Sequence, residues 1–549
     1  MSSISISPIQ SERLFPNAKP TERVVPLSLL DVTTANFACT CPIWLLERSD
    51  KVGDEFDLVE HFRRSLRITL DDYPHWAGQL KSISTLNAAE LTEKEIHLPL
   101  HARRFGRVYS HYGTAEDPGV EFVTATTNAT LETLCPASRT TEHPLWDCKQ
   151  VPLSGLVPSS RLANSLKPNF ANETGMLPPV MAIQLTMLAC GGFALAIKIL
   201  HPLADIQSVT HFVEDWTKIG RWILSGSGLP KPDLTPLFDP TRLDSVAAGD
   251  ISGQQPDPAI LEQIKSLPLH RYDWWATPAL CPWTQEIPEP FRNQKHTPIG
   301  PLMPWADWDF DAPVSHYLVH LNSSQVESIY QSTIRWSPDT SKGSRISRHD
   351  AVLAHVWSCI TRARQLGKDP SLVHCNLAYG TRPVLGLGED FIGSPTLMLN
   401  IEMTGMELAS SAVAEDARRL SAARCIRNTI NRISNKDAIA AHLHSVAYEK
   451  TPQRIWQAFL GHRHLIVTTW ARTGLYGIDF GLHTYPGIRY AEGVLPTLDG
   501  DVLIKDAPPL KDQTGLPSQK AWTAHGVDIS LHLRTEDMER LLRDPRFLP

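Results

Sequence analysis

Long apolar runs, blocks of like charge and cysteine pairs at zinc spacing are all missing from this 549-residue sequence. The most apolar stretch covers residues 185–197. It is interrupted by Gly191 and Gly192 and is too short to cross a bilayer. The formal net charge is −7 and the basic residues are dispersed, unlike those of a nucleic-acid binder. We therefore expect neither a membrane nor a nucleic acid among the partners of this protein.

The cysteines and the N-terminus favour a reducing compartment. The first residues contain no basic segment followed by an apolar one, so they do not resemble a secretory signal. Most of the nine cysteines stand alone, and Cys39 and Cys41 have no second pair that would complete a zinc site. We expect a cytoplasmic protein with unpaired thiols, no metal site and no permanently bound cofactor.

Proline is frequent, with 43 residues against 31 glycines, and it is concentrated in residues 226–313. The same stretch is rich in tryptophan, whereas a disordered linker is poor in aromatic residues. Its tryptophans are Trp274, Trp275, Trp283, Trp305 and Trp308. We expect an ordered, irregular crossover that packs over the body, contains a short helix near 258–267 and ties two domains together.

Hydrophobic periodicity predicts an α/β domain on each side of this crossover, over residues 1–225 and 314–549. In the first domain, a four-residue repeat predicts a helix within 54–80, and two apolar runs predict a buried hairpin over 181–200. A helix of about 15 residues is expected to follow the hairpin. The second domain is predicted to contain a strand from about 314, a helix over 348–366, strands over 372–379, 396–403 and 464–470, and a last helix from Thr535.

Most familiar catalytic signatures are absent, and the remaining candidate is a His-x-x-x-Asp spacing. Asp479, Phe480 and Gly481 spell a kinase motif, but no glycine-rich loop or catalytic loop precedes them. The His-x-x-x-Asp spacing is weak alone, because a chain with 22 histidines meets it by chance. It occurs at His143–Asp147, His201–Asp205 and His211–Asp215.

Local context favours His201 among the three histidines. His211 lies on an amphipathic helix, where a solvated pair with Asp215 is expected, and His143 lies in a turn-rich stretch. His201 directly follows a buried strand, and Pro202 ends that strand. A histidine held rigidly at a strand end suits a catalytic base. The alternative is an ordinary strand-end histidine.

Segments along nearly the whole chain resemble, in family order, those of the BAHD acyltransferases, plant and fungal enzymes that transfer acyl groups from coenzyme A. They are VVPLSLLD at 24–31, SLRITLDDYPHWAGQL at 65–80, HPLAD at 201–205, ISRHDAVLAHVWSCITRAR at 346–364, YGTRP at 379–383, FIGSP at 391–395 and TTWARTGLYGIDFG at 468–481. The length and the insertions are more similar to fungal members that act on secondary metabolites. The resemblance implies two chloramphenicol-acetyltransferase-like α/β domains with mixed sheets, joined by the crossover.

The resemblance also implies the chemistry and the partners. The expected reaction is O-acylation of a small alcohol, with acyl-CoA as co-substrate, acetyl-CoA as the first choice of donor, and a monomeric enzyme. His201 would be the general base. Asp205 would turn away from it and pair with Arg382. The alternative role of Asp205 is that of a helix N-cap.

Further site residues follow from the same resemblance. Thr468 and Trp470 would lie near the acyl group; the alternative is that they are ordinary strand residues. Asp479 and Gly481 would belong to a structural element. The residues that bind CoA are not identified.

The sequence departs from the family pattern at Ile206, Ser394 and Leu482. Two other functions remain open. One is a condensation-type enzyme of the same fold that makes esters or amides. The other is a binding protein on an inactive scaffold.

Overall fold

The structure is a computed structural model that describes residues 4–35, 37–53, 55–135, 144–150, 153–164, 175–226, 228–281, 286–335, 345–483, 487–509 and 521–548. Its strands are β1 (Ile6–Leu14), β2 (Arg23–Pro26), β3 (Pro42–Leu46), β4 (Gln79–Ser82), β5 (Val108–Tyr112), β6 (Val120–Thr127), β7 (Leu145–Asp147), β8 (Met181–Met187), β9 (Phe193–Ile199), β10 (Tyr272–Asp273), β11 (Val314–Leu321), β12 (Leu372–Gly380), β13 (Thr396–Thr404), β14 (Ile455–Trp456), β15 (His464–Thr469), β16 (Ile488–Gly493), β17 (Asp501–Asp506) and β18 (Val527–Arg534).

The helices complete the α/β pattern. They are α1 (Leu29–Thr33), α2 (Leu58–Thr69), α3 (Leu131–Leu134), α4 (Ile206–Leu224), α5 (Thr241–Asp244), α6 (Pro258–Ile264), α7 (Glu289–Arg292), α8 (Ser323–Ile334), α9 (Arg348–Ala363), α10 (Arg382–Leu385), α11 (Gly405–Ala409), α12 (Glu415–Ile433), α13 (Lys436–Tyr448) and α14 (Thr535–Arg543). Within the described ranges, none of these helices has the length and hydrophobicity that crossing a membrane requires.

Two mixed sheets organise the molecule. A six-stranded sheet has the order β1-β6-β8-β9-β3-β16, and a seven-stranded sheet has the order β13-β12-β15-β17-β18-β11-β7. Pairing is parallel between β6 and β8 and along β12, β15 and β17, and antiparallel elsewhere in these two sheets. Each sheet takes one strand from beyond the crossover, because β16 joins the first and β7 joins the second. Sheet membership therefore crosses the predicted domain limits, which stay a prediction.

Local sequence patterns predicted the central hairpin of the first sheet and the helices that pack against this sheet. The hairpin is present as β8 and β9, paired from Met187–Phe193 outward. Helix α2 begins after the N-cap Asp57, and α4 runs for 19 residues, longer than the predicted 15. Phe62 of α2 packs edge-on against Trp216 of α4, with ring centroids 5.4 Å apart. Burial of these faces against the sheet sets the direction of α4.

The crossover is ordered where it is described. Its short helix is α6, and Trp274, Trp275, Trp305 and Trp308 are buried, as predicted, in an aromatic cluster with Phe459. Trp283 lies outside the described residues.

The crossover also contacts both halves of the chain. The backbone N–H of Leu29 donates to Asp244 at 2.8 Å, and that of Ala248 donates to the carbonyl of Ala440 at 2.9 Å.

Candidate active site

His201 lies where the central strand β9 of the first sheet ends. Pro202 lacks an N–H, and the chain turns through a short 3-10 segment, His201–Leu203, before α4 begins. The Nδ1 atom of His201 is 2.8 Å from the Ser394 hydroxyl oxygen. The ring of Phe37 packs edge-on against the imidazole, with centroids 5.9 Å apart. Among the described residues, the hydrogen bond to another residue is made at Nδ1, and Nε2 has no such partner.

The surroundings of His201 keep its imidazole neutral. Burial lowers the pKa of His201 below its usual value of 6.5, and the charge of Asp205 and a hydrogen bond to its own backbone carbonyl partly oppose this shift. At pH 7 the ring therefore carries a lone pair that can accept a proton.

Asp205 makes both of the contacts proposed for it as alternatives. Its Oδ1 accepts the backbone N–H of Ser208 at 3.0 Å, which caps α4. The guanidinium of Arg382 donates to the same oxygen at 2.9 Å and also to Oδ2. The carboxylate points into this ion pair, and it holds the turn after His201 through the start of α4.

Arg382 and Ser208 join that turn to the other half of the chain. The Arg382 Nη2 donates to Ser208 Oγ at 2.9 Å and to the carbonyls of Phe391 and Gly393 at 3.2 and 3.3 Å. Ser208 Oγ donates to the Gly393 carbonyl at 2.8 Å and accepts from its N–H at 3.0 Å. The turn that ends at Ser394 is therefore docked on the first turn of α4.

A buried carboxylate supports Ser394 from the opposite side. Asp31 Oδ1 accepts the backbone N–H of Ser394 at 2.6 Å, and its Oδ2 accepts the hydroxyl and the N–H of Ser28 at 2.6 and 3.1 Å. Burial raises the pKa of Asp31 to about 7. Sequence reasoning missed Ser394, Asp31 and Ser208 as site residues. The Ser-x-x-Asp pattern at 28–31 is a local signal that could have indicated a helix start there, but it gives no indication of a role at the site.

Trp470 lies in the apolar core that also contains residues of the His201 turn. It follows β15, is buried, and belongs to the same apolar cluster as Leu203 and Ala204. Thr468 is half-buried within β15, one residue before Thr469, whose hydroxyl is 2.9 Å from His349 Nε2.

Asp479 and Gly481 lie at the opposite end of α4. The Arg221 guanidinium donates to the carbonyl of Asp479, and the N–H of Gly481 donates to Asp479 Oδ1 at 2.8 Å. Sixteen residues of helix between Asp205 and Arg221 correspond to about 24 Å. The structure therefore does not bring this pair to His201. The neighbouring Leu482 is fully buried, and its carbonyl accepts the Ser49 hydroxyl at 2.6 Å.

The other two His-x-x-x-Asp pairs do not form comparable sites. Asp215 is buried and accepts from Tyr73 at 2.8 Å and from Lys218 at 2.7 Å, so the expectation of a solvated pair is wrong. Its oxygen is 3.6 Å from His211 Nε2. His143 lies outside the described residues.

A cavity of about 520 Å³ lies close to the His201 strand. Its wall includes Ala38 and Cys39, which follow Phe37 in the chain. It also includes Lys198, which lies on β9 three residues before His201. The Lys198 ammonium donates a hydrogen bond to the Ser160 carbonyl at 2.9 Å. Much of the remaining lining is apolar, formed by Ile6, Pro8, Val157, Pro158, Val494, Leu495 and Pro496.

Comparison with known proteins supports an acyltransferase. The model of the Transferase family matches residues 114–259 and 314–547. Acyltransferase AFT15-1 of Alternaria alternata is 24% identical over 524 residues, covering 92% of this chain and 89% of its own length. Acyltransferase abl6 of Leptosphaeria maculans is 23% identical over 551 residues, covering 99% and 98%.

Solved structures confirm the predicted fold class. Vinorine synthase superposes with a TM-score of 0.56 at 15% identity, covering 98% of this chain and 96% of its own. F. sporotrichioides TRI101, crystallised with coenzyme A and T-2, gives a TM-score of 0.58 at 14% identity, covering 95% and 98%.

Proposed function

Because the chain belongs to the Transferase family, the BAHD acyltransferases, we propose that it acetylates a hydroxyl of a small secondary metabolite, with acetyl-CoA as donor and His201 as general base. The observation that carries this proposal is the setting of His201. Its ring is neutral, bonded at Nδ1 to Ser394 and open at Nε2.

The reaction needs a base, because an alcohol is a poor nucleophile at neutral pH while a thioester is already activated. His201 Nε2 takes the hydroxyl proton as the oxygen attacks the thioester carbonyl. The tetrahedral intermediate then breaks its C–S bond, and the imidazolium returns the proton to the departing thiolate. The products are the ester and coenzyme A, and no covalent enzyme intermediate is required.

Positioning of the base falls to residues that do not touch substrate. Asp205, Arg382 and Ser394 fix the turn and the ring of His201 through the contacts described above. A mispositioned catalytic group loses much of its effect, because proximity and orientation supply a large part of the rate. The family resemblance assigns Thr468 and Trp470 to the acyl group, with Thr468 as a hydroxyl donor at the end of β15.

The relatives and the cavity support the proposed choice of substrates. TRI101 was crystallised with coenzyme A and T-2, which supports an acyl-CoA donor and a compact alcohol acceptor. The 520 Å³ cavity is of the size that small-molecule sites have and has a largely apolar lining. We assign it to the acceptor, whose body would be apolar and whose hydroxyl would point toward His201.

The test is thiol release from acetyl-CoA with a panel of apolar alcohols. His201→Ala should lower turnover about 10²- to 10⁴-fold, the usual contribution of a positioned base. The matched control is His211→Ala, which removes the histidine of a second His-x-x-x-Asp pair and should keep wild-type turnover.

Circular dichroism checks that both variants are folded. Equal losses of turnover in the two folded variants would refute the assignment of His201 as the base. The wild-type protein could also bind acetyl-CoA and yet release no thiol with any alcohol of the panel. That result would favour a binding protein on this scaffold.

A further inference from the structure

Three imidazoles meet outside the active site, where the crossover lies on the second sheet. His270 precedes β10 in the crossover, His374 lies on β12, and His464 begins β15. One ring nitrogen of each lies within 4.8 Å of the others. The rings of His374 and His464 are stacked with centroids 4.5 Å apart, and the His270 ring meets that of His374 at 4.9 Å.

Each ring has a nitrogen that is not committed to another partner. His270 Nε2 and His464 Nδ1 are fully buried and have no hydrogen-bond partner among the described residues. His374 Nδ1 is 3.0 Å from the amide oxygen of Asn400, so it carries the proton and leaves Nε2 with a lone pair. A buried polar atom without a partner costs free energy, which a ligand at this place would recover.

The protonation state of the cluster also suits a cation. Burial lowers the pKa of His270 to about 3 and that of His464 to about 2, and it also lowers that of His374. All three rings are therefore neutral at pH 7, which is the form that binds a metal.

We propose that His270, His374 and His464 bind one divalent transition-metal ion, Zn²⁺ in the first place, as a structural clip between the crossover and the second sheet. Imidazole nitrogen is a preferred ligand of zinc at 2.0–2.1 Å, and a tetrahedral site separates such nitrogens by about 3.3 Å. The ligand nitrogens lie up to 4.8 Å apart, and the His374 and His464 rings are stacked at 17° to each other, so at least one ring must turn its lone pair toward the ion.

Polar neighbours occupy the places that outer-shell partners take in metal sites. Asn400 orients the His374 ring, as carboxylate or carbonyl groups orient metal-bound histidines. The Tyr272 hydroxyl is 3.2 Å from His464 Nε2, and Glu402 Oε2 is 3.7 Å from His374 Nδ1. The fourth position would be taken by water, or by Glu402 after a change of its rotamer.

The two arginines nearest the cluster are each paired with a carboxylate. Arg364 is paired with Asp499 at 2.8 Å, and Arg463 is paired with Asp369. The Asp307 carboxylate, 3.6 Å from Arg463, adds negative charge on the same side. Sequence reasoning expected no metal because it examined cysteine spacing, whereas these histidines come from three distant segments.

The test uses the purified full-length protein. After chelator treatment and buffer exchange, Zn²⁺ alone should bind with a stoichiometry of about one per chain in competition with a chromophoric chelator, and it should raise Tm. Co²⁺ at the same site should give the visible absorption of tetrahedral coordination. His374→Gln and His270→Gln should each weaken binding at least about tenfold and abolish the rise in Tm.

The matched control is His442→Gln, because His442 is also buried with an unpartnered Nδ1 but lies outside the cluster. It should bind Zn²⁺ as the wild type does. Circular dichroism of each variant without metal separates loss of the site from loss of the fold. Failure of wild-type protein to bind Zn²⁺ with a rise in Tm, or binding that survives the loss of both cluster histidines, would overturn the proposal. Acetyl transfer is measured separately and does not enter this test.

Discussion

At the scale of the residue, the proposed chemistry depends on one imidazole whose two nitrogens have different surroundings. Ser394 is hydrogen-bonded to Nδ1 of His201, which leaves Nε2 for the proposed proton transfer. Asp205 does not contact the ring; it is bound to Arg382 and to the first turn of α4. The proposed base is therefore positioned by its neighbours, and its proton affinity is set mainly by burial.

The pH dependence of activity should show the effect of this burial on the pKa of His201. Burial lowers the pKa of His201 below 6.5, so the neutral form persists to a lower pH than in an exposed histidine. The value of kcat/KM, measured by thiol release, should fall as pH falls, with a midpoint below 6.5. A midpoint above 6.5 with folded protein would contradict the assignment, because the charged ring cannot accept a proton.

Two substitutions of Asp205 should separate the contribution of its charge to stability from that of its N-cap hydrogen bond. In Asp205→Asn the amide oxygen can still accept from Ser208, but Arg382 stays buried without its partner, which should cost about 3–5 kcal/mol of unfolding free energy. Asp205→Ala should cost about 1 kcal/mol more because the cap is also lost. Urea unfolding measures both, and turnover should fall with them.

The control for this pair is the double variant Asp205→Asn with Arg382→Met, which should regain part of the lost stability because no unpaired charge remains. An Asp205→Asn protein as stable as the wild type would show that the ion pair contributes nothing.

At the scale of the element, helix α4 connects two regions that the sequence motifs place together. Its first turn carries Asp205 and Ser208 at the proposed site, whereas Arg221 near its last turn donates to the carbonyl of Asp479. The DFG segment at 479–481 thus holds the far end of the helix. Its effect on catalysis must pass through the position of α4.

Gly481 offers a test of this structural role. Its φ is +75°, and a Cβ there would lie 2.8 Å from Arg221 Cγ. Gly481→Ala should lower the unfolding free energy by about 1–3 kcal/mol while kcat of the folded enzyme stays within about twofold. Gly226→Ala, at φ +61° with no atom within 4 Å of the added Cβ, is the control for backbone strain alone. A large loss of kcat without loss of stability would place Gly481 in the chemistry.

At the scale of the whole molecule, the crossover and the exchanged strands β7 and β16 hold the two sheets together. The crossover contains a fully buried ion pair, in which Asp273 accepts from Arg454 at 3.0 and 2.5 Å. Asp273 also caps the turn at Trp275, with an N–H to Oδ1 distance of 3.1 Å. The domain limits, the monomeric state and the cytoplasmic location stay predictions.

Removing the charge of Asp273 should weaken the packing of the crossover and expose its backbone to protease. Asp273→Asn leaves Arg454 buried and unpaired, so limited proteolysis within 226–313 should become much faster than in wild type. Glu262→Gln is the control, because it breaks the ion pair with Lys265 in the same segment, whose side chains are each 72% exposed. Such surface pairs contribute about 0–1 kcal/mol. Rapid cleavage of wild-type protein across 226–313 would show that the crossover is a loose tether.

The sequence by itself determined the helices α2, α4 and α9, the hairpin of β8 and β9, and the place of His201 at a strand end. These follow from periodicity, caps and breakers, which act over a few neighbouring residues. Ordered family motifs added the fold class and the pairing of Asp205 with Arg382.

Only the tertiary structure decided that Asp205 is both cap and ion-pair partner, that Ser394 and Asp31 stand behind His201, and that Asp479 lies at the far end of α4. It also decided that β7 and β16 exchange between the sheets and that three distant histidines converge. These features depend on contacts between segments far apart in the chain. No local spacing encodes such contacts, because long-range packing and burial select them only after the elements have formed.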